Sequence, residues 1–299
     1  MRGKFFFNRR YYITGFILLF FVLFTFGCDS DNTAQSKKDN NQADEKAIVV
    51  TGNGVKQDFR ITLPEMLELP DARFEHVYSI INNWPVKKMY AARGIKLSAL
   101  LKAAGIKDKT QAITIKGYDG YVCSFTREQL LETGRYYFPG LKEGDPSGAE
   151  PVEPIIAYQY AENSNELSKA RDNRLCFIMP QANINEQTNH AFVKGVTEII
   201  ATTANPGKWA EATVFPPAGE IAAGDTVKLQ HKDIGMVKMY YTLDGSKPTR
   251  ESTLYNPSTY QPELNKPIAV DRDMTIKVLV KGFGRYDSDI AEFHYRIKQ

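Results

Sequence analysis

One stretch constrains the fold more than any other: residues 92–132, ARGIKLSALLKAAGIKDKTQAITIKGYDGYVCSFTREQLLE. Leu97, Leu100, Leu101 and Ala104 fall at i, i+3, i+4 and i+7, one apolar stripe of a short helix. Gly105 follows at the C′ position, where a left-handed residue ends a helix. Ile113 and Ile115 then alternate with polar neighbours, Asp119-Gly120 turns the chain, and 121–125 reads as a returning strand. Thr126 with Gln129 three residues on has the spacing of a capping box, which predicts another helix. Helix, strand, turn, strand and helix in so short a segment predict an α+β unit.

The chain around it reads as follows. A strand is expected at 48–50, and a short helix at 62–69 with Thr62 as N-cap and Glu65 as its capping-box partner. Residues 71–90 alternate apolar and polar positions. Residues 134–154 carry Pro139, Gly140, Gly144, Pro146, Gly148, Pro151 and Pro154, the punctuation of a long surface loop. Strand-like runs follow at 155–160, 175–179 and 192–202. Asn205-Pro206-Gly207 marks a boundary with few contacts expected across it. Beyond it, 227–229, 237–243, 275–281 and 293–297 alternate with period two between turn residues, which predicts a small all-β sandwich. A chain of 299 residues accommodates two such domains.

At the N-terminus a basic head precedes an apolar run over 13–27, short for a membrane span of about 20 residues. It stops at Gly27-Cys28, followed by Asp29-Ser30-Asp31-Asn32. This resembles a bacterial lipoprotein signal and implies cleavage before Cys28, a lipid on its thiol, and attachment outside the cytoplasm to the cell membrane. The alternative is an uncleaved anchor helix with an incidental cysteine. Residues 29–46 are polar and expected to form a flexible tether. The expected organisation is therefore 1–27 signal peptide, 28–46 tether, 47–204 first domain, 205–211 linker and 212–299 sandwich. The formal charge is +3, of which Arg2, Lys4, Arg9 and Arg10 supply four, leaving −1 for the rest. That balance gives no footprint for nucleic acid.

Several pieces in fixed order carry a family resemblance: Gly94-Ile95-x-Leu97-x-x-Leu100-Leu101, Gly105, Asp119-Gly120-Tyr121, Ile156-Ala157-Tyr158, Cys176 to Pro180, and Lys194 five residues before Ile199. Together they resemble the molybdopterin-binding domain of the sulfite oxidase type over residues 47–204. The resemblance implies a metal held by a pterin dithiolene and one protein cysteine upstream of the Leu97 helix. Residues 73–93 contain no cysteine, and the nearest counterpart is Ser79, a harder and far less acidic donor. Gly195 stands where the family has Trp, and Cys176 where an Arg is common. The candidate cofactor pocket is Ser79, His76, Arg93, Tyr121 and Lys194. His190, Arg73 and Arg135 are further groups suited to an anionic cofactor, against the plainer roles of structural histidine and solvated arginine. Two readings follow. One is a domain that has lost the metal ligand and serves as a binding or accessory module on the cell surface. The other is an active molybdopterin-dependent oxidoreductase ligated by Ser79.

Tyr240 to Thr249, YYTLDGSKPT, with Leu254-Tyr255 shortly after, resembles the core of the chitobiase/β-hexosaminidase C-terminal module over residues 213–297. The resemblance implies an immunoglobulin-like accessory domain without glycosidase carboxylates, so the chain is not expected to be a glycosidase. A third reading makes the chain a binder of cell-wall polysaccharide, or of a surface protein, through this module. Cys123 and Cys176 have neither CxxC spacing nor a neighbouring His, which points away from zinc or a catalytic thiol. They form either a disulfide or two buried thiols. No GxSxG, HExxH, P-loop or dinucleotide fingerprint is present.

Overall fold

A computed structural model describes residues 46–259 and 262–299; the Cys28 expectation lies outside the described residues. The first half carries strands β1 (Ala47–Thr51), β2 (Phe59–Thr62), β3 (Arg73–Ile81), β4 (Lys87–Lys96), β5 (Ala112–Gly117) and β6 (Val122–Thr126). It continues with β7 (Tyr136–Tyr137), β8 (Glu150–Pro151), β9 (Ile155–Glu162), β10 (Arg171–Ile178), β11 (Val193–Lys194) and β12 (Val196–Thr202). Two five-stranded sheets result, ordered β2-β1-β12-β5-β6 and β11-β10-β9-β4-β3. Only β1 and β12 pair in parallel in the first; the second is antiparallel throughout. One core joins them, with Ile48, Ile113, Ile115 and Ile199 from the first sheet meeting Tyr78, Ile95, Ile156 and Phe177 from the second.

The α+β class expected for this half is corrected: the body is β-rich. Its α-helices are α1 (Leu63–Leu67) and α2 (Leu97–Ala103), of five and seven residues. The physical reason lies in the local stop signals. Gly105 takes φ +68, and Gly105 N–H and Ile106 N–H close back on Lys102 and Leu101, so α2 ends after two turns. Thr126 and Gln129 do exchange their cap bonds, at 3.0 and 3.1 Å, but the turn that follows is a single π-turn, Glu128–Glu132. Helices this short cover sheet ends and cannot form a layer. The alternating run 71–90 instead supplies the nine-residue β3 and the start of the ten-residue β4, so the core lies between sheets. Leu97, Leu100 and Leu101 are buried in that core, and the Thr62–Glu65 capping box closes α1 at 2.8 Å.

The segment 134–154, expected as a surface loop, is partly interior. It folds Phe138 and Leu141 against Ile81 and Met89 in a small buried cluster and pairs β7 with β8.

The second half carries β13 (Thr213–Phe215), β14 (Gly219–Ile221), β15 (Asp225–Gln230), β16 (Val237–Thr242), β17 (Thr253–Tyr255), the short α3 (Pro262–Asn265), β18 (Ile268–Val270), β19 (Met274–Gly282) and β20 (Ala291–Ile297). They form sheets β13-β15-β18 and β14-β20-β19-β16-β17. Period-two alternation aims Val227, Leu229, Ile268 and Val270 of one sheet at Met239, Ile276, Val278 and Tyr295 of the other.

The two halves do not meet as loosely as the 205–208 boundary suggested, because the described residues form one compact unit. Gln129 joins them. Its Nε2 donates to the carbonyls of Gly282 and Arg285 at 2.8 and 2.9 Å, and its Oε1 accepts from Gly284 N–H at 3.0 Å. Phe283 tilts against Phe125 of the first core with ring centres 5.2 Å apart. Asn256 Nδ2 donates to Gln187 Oε1 at 3.1 Å, and Tyr286 Oη to Gln111 Oε1 at 2.8 Å.

Candidate functional site

The candidate pocket residues each have a separate partner. Ser79, in β3, is fully buried; its hydroxyl donates to Gln181 Oε1 at 2.6 Å and accepts from Phe138 N–H at 3.0 Å. His76 Nε2 faces Glu150 at 3.1 Å while Nδ1 lies 2.8 Å from the Val77 carbonyl, and the ring packs edge-on against Tyr137. Arg93 pairs with Glu75 across the β3–β4 ladder at 2.7 Å. Lys194, in β11, is ion-paired with Glu162. Tyr121 follows the Asp119-Gly120 turn, and its hydroxyl donates to the His190 carbonyl at 2.5 Å.

These residues do not fit a molybdenum–pterin group. Ser79 has both hydroxyl functions engaged inside the protein, and a neutral, hydrogen-bonded serine is a poor ligand for a soft metal. Gly195 has φ +65, a conformation that strains any residue with a Cβ, and a Cβ there would displace the Tyr118 ring, so the family's Trp is disfavoured. Cys123 and Cys176 are free, buried thiols. They stand on different sheets, in β6 and β10, and burial pushes both thiols up to about 12, far from a reactive thiolate.

A cavity lies instead where the two halves meet. It offers about 50 Å³ to the centres of water-sized atoms, several times the ~10–15 Å³ that one water needs. The first half contributes Arg135, Glu186 and His190, and the second Lys238, Arg250 and Phe283. Arg135 follows the π-turn and is 4% exposed. Its Nη1 donates to Glu186 at 2.7 Å and the Pro180 carbonyl at 3.1 Å, its Nη2 to the Gln129 carbonyl at 2.7 Å. Its Nε is buried with no partner, and so is His190 Nδ1.

The charges are unevenly matched. Glu186 serves two arginines, with Arg250 at 3.8 Å as well as Arg135, and Lys281 pairs with Asp287. Among the described residues Lys238 bonds only neutral groups, Ser258 Oγ at 3.4 Å and Asn83 Oδ1 at 3.5 Å. Burial pulls the Lys238 amine down to about 8, and burial followed by the Lys238 charge pulls His190 down to about 4. At neutral pH the imidazole is therefore uncharged beside a costly ammonium.

The sequence marks Arg135 and His190 as groups suited to an anion, though for a different pocket. It gives no sign of Lys238, Arg250 and Glu186, because they meet only when the two halves dock. Lys238 sits in an alternating strand, where its position reads as an outward-facing one.

Comparison with known proteins fits this division. Residues 216–292 match the model of the chitobiase/beta-hexosaminidase C-terminal domain. The second half is similar to such a module over those residues. No curated protein matches the chain. Among solved structures, the crystal structure of the sulfane dehydrogenase SoxCD from Paracoccus pantotrophus is similar over 81% of this chain and 68% of its own, at 13% identity and a TM-score of 0.36. That likeness is too distant to carry an argument about chemistry.

Proposed function

We propose that this chain is a lipid-anchored, extracytoplasmic accessory protein that binds a small ligand in the cavity its C-terminal module completes. The observation that carries the reading is a cavity walled by both halves whose lining includes Arg135 and His190, two residues that each hold a buried polar atom without a partner among the described residues. Buried polar groups are satisfied in the great majority of proteins, so two orphans in one cavity point to a ligand that supplies the missing bonds. The Gly27-Cys28 sequence supports the anchor, and the polar 29–46 segment supports display at a distance from the membrane. The sealed Ser79 hydroxyl weighs against molybdenum chemistry.

The test is a thermal-stability screen of the full chain against acidic, basic and neutral small metabolites, with Lys238→Met as control. A hit of any class that raises the melting temperature of wild type but not of the variant supports the reading. Silence across all three classes contradicts it.

A second reading rests on the module itself. A surface groove of about 640 Å³ on it is lined by the exposed Lys228, Gln230 and Lys232 together with Asn265, polar groups of the kind that hydrogen-bond sugars. Retention of the full chain on chitin or peptidoglycan, lost in Gln230→Ala, supports polysaccharide binding there; no retention removes it.

A further inference from the structure

We infer that the ligand of the cavity between the halves is a small organic carboxylate, held by donors that Arg135 and Lys238 bring to its wall. The inference rests on the reading of this cavity as the ligand site and adds its chemical class.

Donors outnumber acceptors around the cavity. Four cationic side chains line the cavity, Arg135, Lys238, Arg250 and Lys281, against two carboxylates, Glu186 and Asp287. Asp287 is committed to Lys281, and Glu186 is divided between the two arginines. The excess falls on Lys238, whose bonding neighbours among the described residues are a hydroxyl and an amide oxygen at long range. Arg135 Nε, on a side chain almost wholly buried, is a donor with nothing to donate to. Leaving a charged donor buried and unmet is among the costlier defects a fold can carry. A cation would add to the excess, and a neutral ligand would leave Lys238 uncompensated. An anion supplies both acceptor and charge.

The remaining wall selects among anions. Met236, Tyr240, Leu254 and Phe283 line the same space, so part of the occupant is apolar. The space is small, about 50 Å³ to the centres of water-sized atoms, and suits a small ligand. A carboxylate on a short carbon chain satisfies charge, wall and size together, whereas a bare inorganic oxyanion leaves the apolar wall without a partner. Thr188 Oγ1 and Trp209 Nε1 also lack partners but do not line the cavity.

The experiment is titration of the full chain with acetate, lactate, acetamide and inorganic phosphate at constant ionic strength, read by melting temperature and calorimetry. Acetate and lactate are expected to stabilise the chain in a saturable way and acetamide is not. Lys238→Met is expected to weaken the carboxylates by about tenfold or more, the size of a lost charged hydrogen bond. Arg250→Gln gives a second reading on a more exposed cation if Lys238→Met folds poorly. Equal effects of acetamide and acetate overturn the inference, as does phosphate binding more tightly than either carboxylate. Neutral or basic compounds that bind in a Lys238-dependent way, with carboxylates silent, overturn the ligand class while the site stands.

Discussion

Gln129 is the most economical place to test how the two halves are joined. Its side chain makes three hydrogen bonds to the second half, with Gly282, Arg285 and Gly284, and a fourth to Thr126 N–H within the first. Gln129→Leu keeps the volume and removes every one of them. At about 1 kcal/mol for each lost bond, the three bonds across the halves come to about 3 kcal/mol. The backbone groups left behind are partly buried, which keeps the loss from being smaller. For a chain of this size that corresponds to a fall of about 6–12 °C in melting temperature. Calorimetry with urea denaturation as a second probe reads it. Wild type is expected to unfold in one transition, and Gln129→Leu is expected to separate the halves into two. A loss below about 1 kcal/mol with a single unchanged transition would mean that the Phe125–Phe283 contact and the remaining bonds hold the halves without Gln129.

Cys28→Ala is expected to block lipid attachment and leave unprocessed precursor, read by palmitate labelling and gel mobility; normal processing would remove the lipoprotein reading. His190 is held neutral in the fold, to about 4 against an ordinary 6.5. Its unfolded form therefore takes up protons first, and stability is expected to fall as pH drops from 6.5 to 4, a slope that His190→Gln flattens; equal slopes in both proteins would contradict the burial of His190. Leu100→Ala, in the core face of α2, is expected to cost about 2–5 kcal/mol in urea denaturation, and a loss under about 1 kcal/mol would mean that α2 is not part of the core.

Local signals in the sequence were read well where they depend on a few neighbouring residues. The capping pair Thr62–Glu65, the Gly105 helix stop and the Asp119-Gly120 turn all form as their chemistry requires, and the YYTLDGSKPT run marks the C-terminal module that the family model matches. The fold class was misread because a cap signal fixes where a turn begins and says nothing of its length. Thr126–Gln129 caps a single π-turn, and the Leu97 stripe ends after two. Docking was not legible. Gln129 shows its capping role in sequence, but its clasp on residues 282–285 spans more than 150 positions. The loop 134–154 looks like surface from its glycines and prolines, yet Phe138 and Leu141 turn inward over β3 and seal Ser79. Lys238 follows the alternation of β16 like any outward lysine, and only the first half, packing over it, makes it part of a cavity.

A cavity between the halves and a metal at Ser79 are the two ways this chain could work. Molybdenum and pterin analysis of the purified full chain, made in a cofactor-competent host alongside Ser79→Cys, decides it most directly. Ser79 is sealed by Gln181 and Phe138, so neither protein is expected to carry cofactor above background, thiol or no thiol. One molybdenum per chain in wild type, or its appearance in Ser79→Cys, would contradict the account and return the first half to molybdenum chemistry.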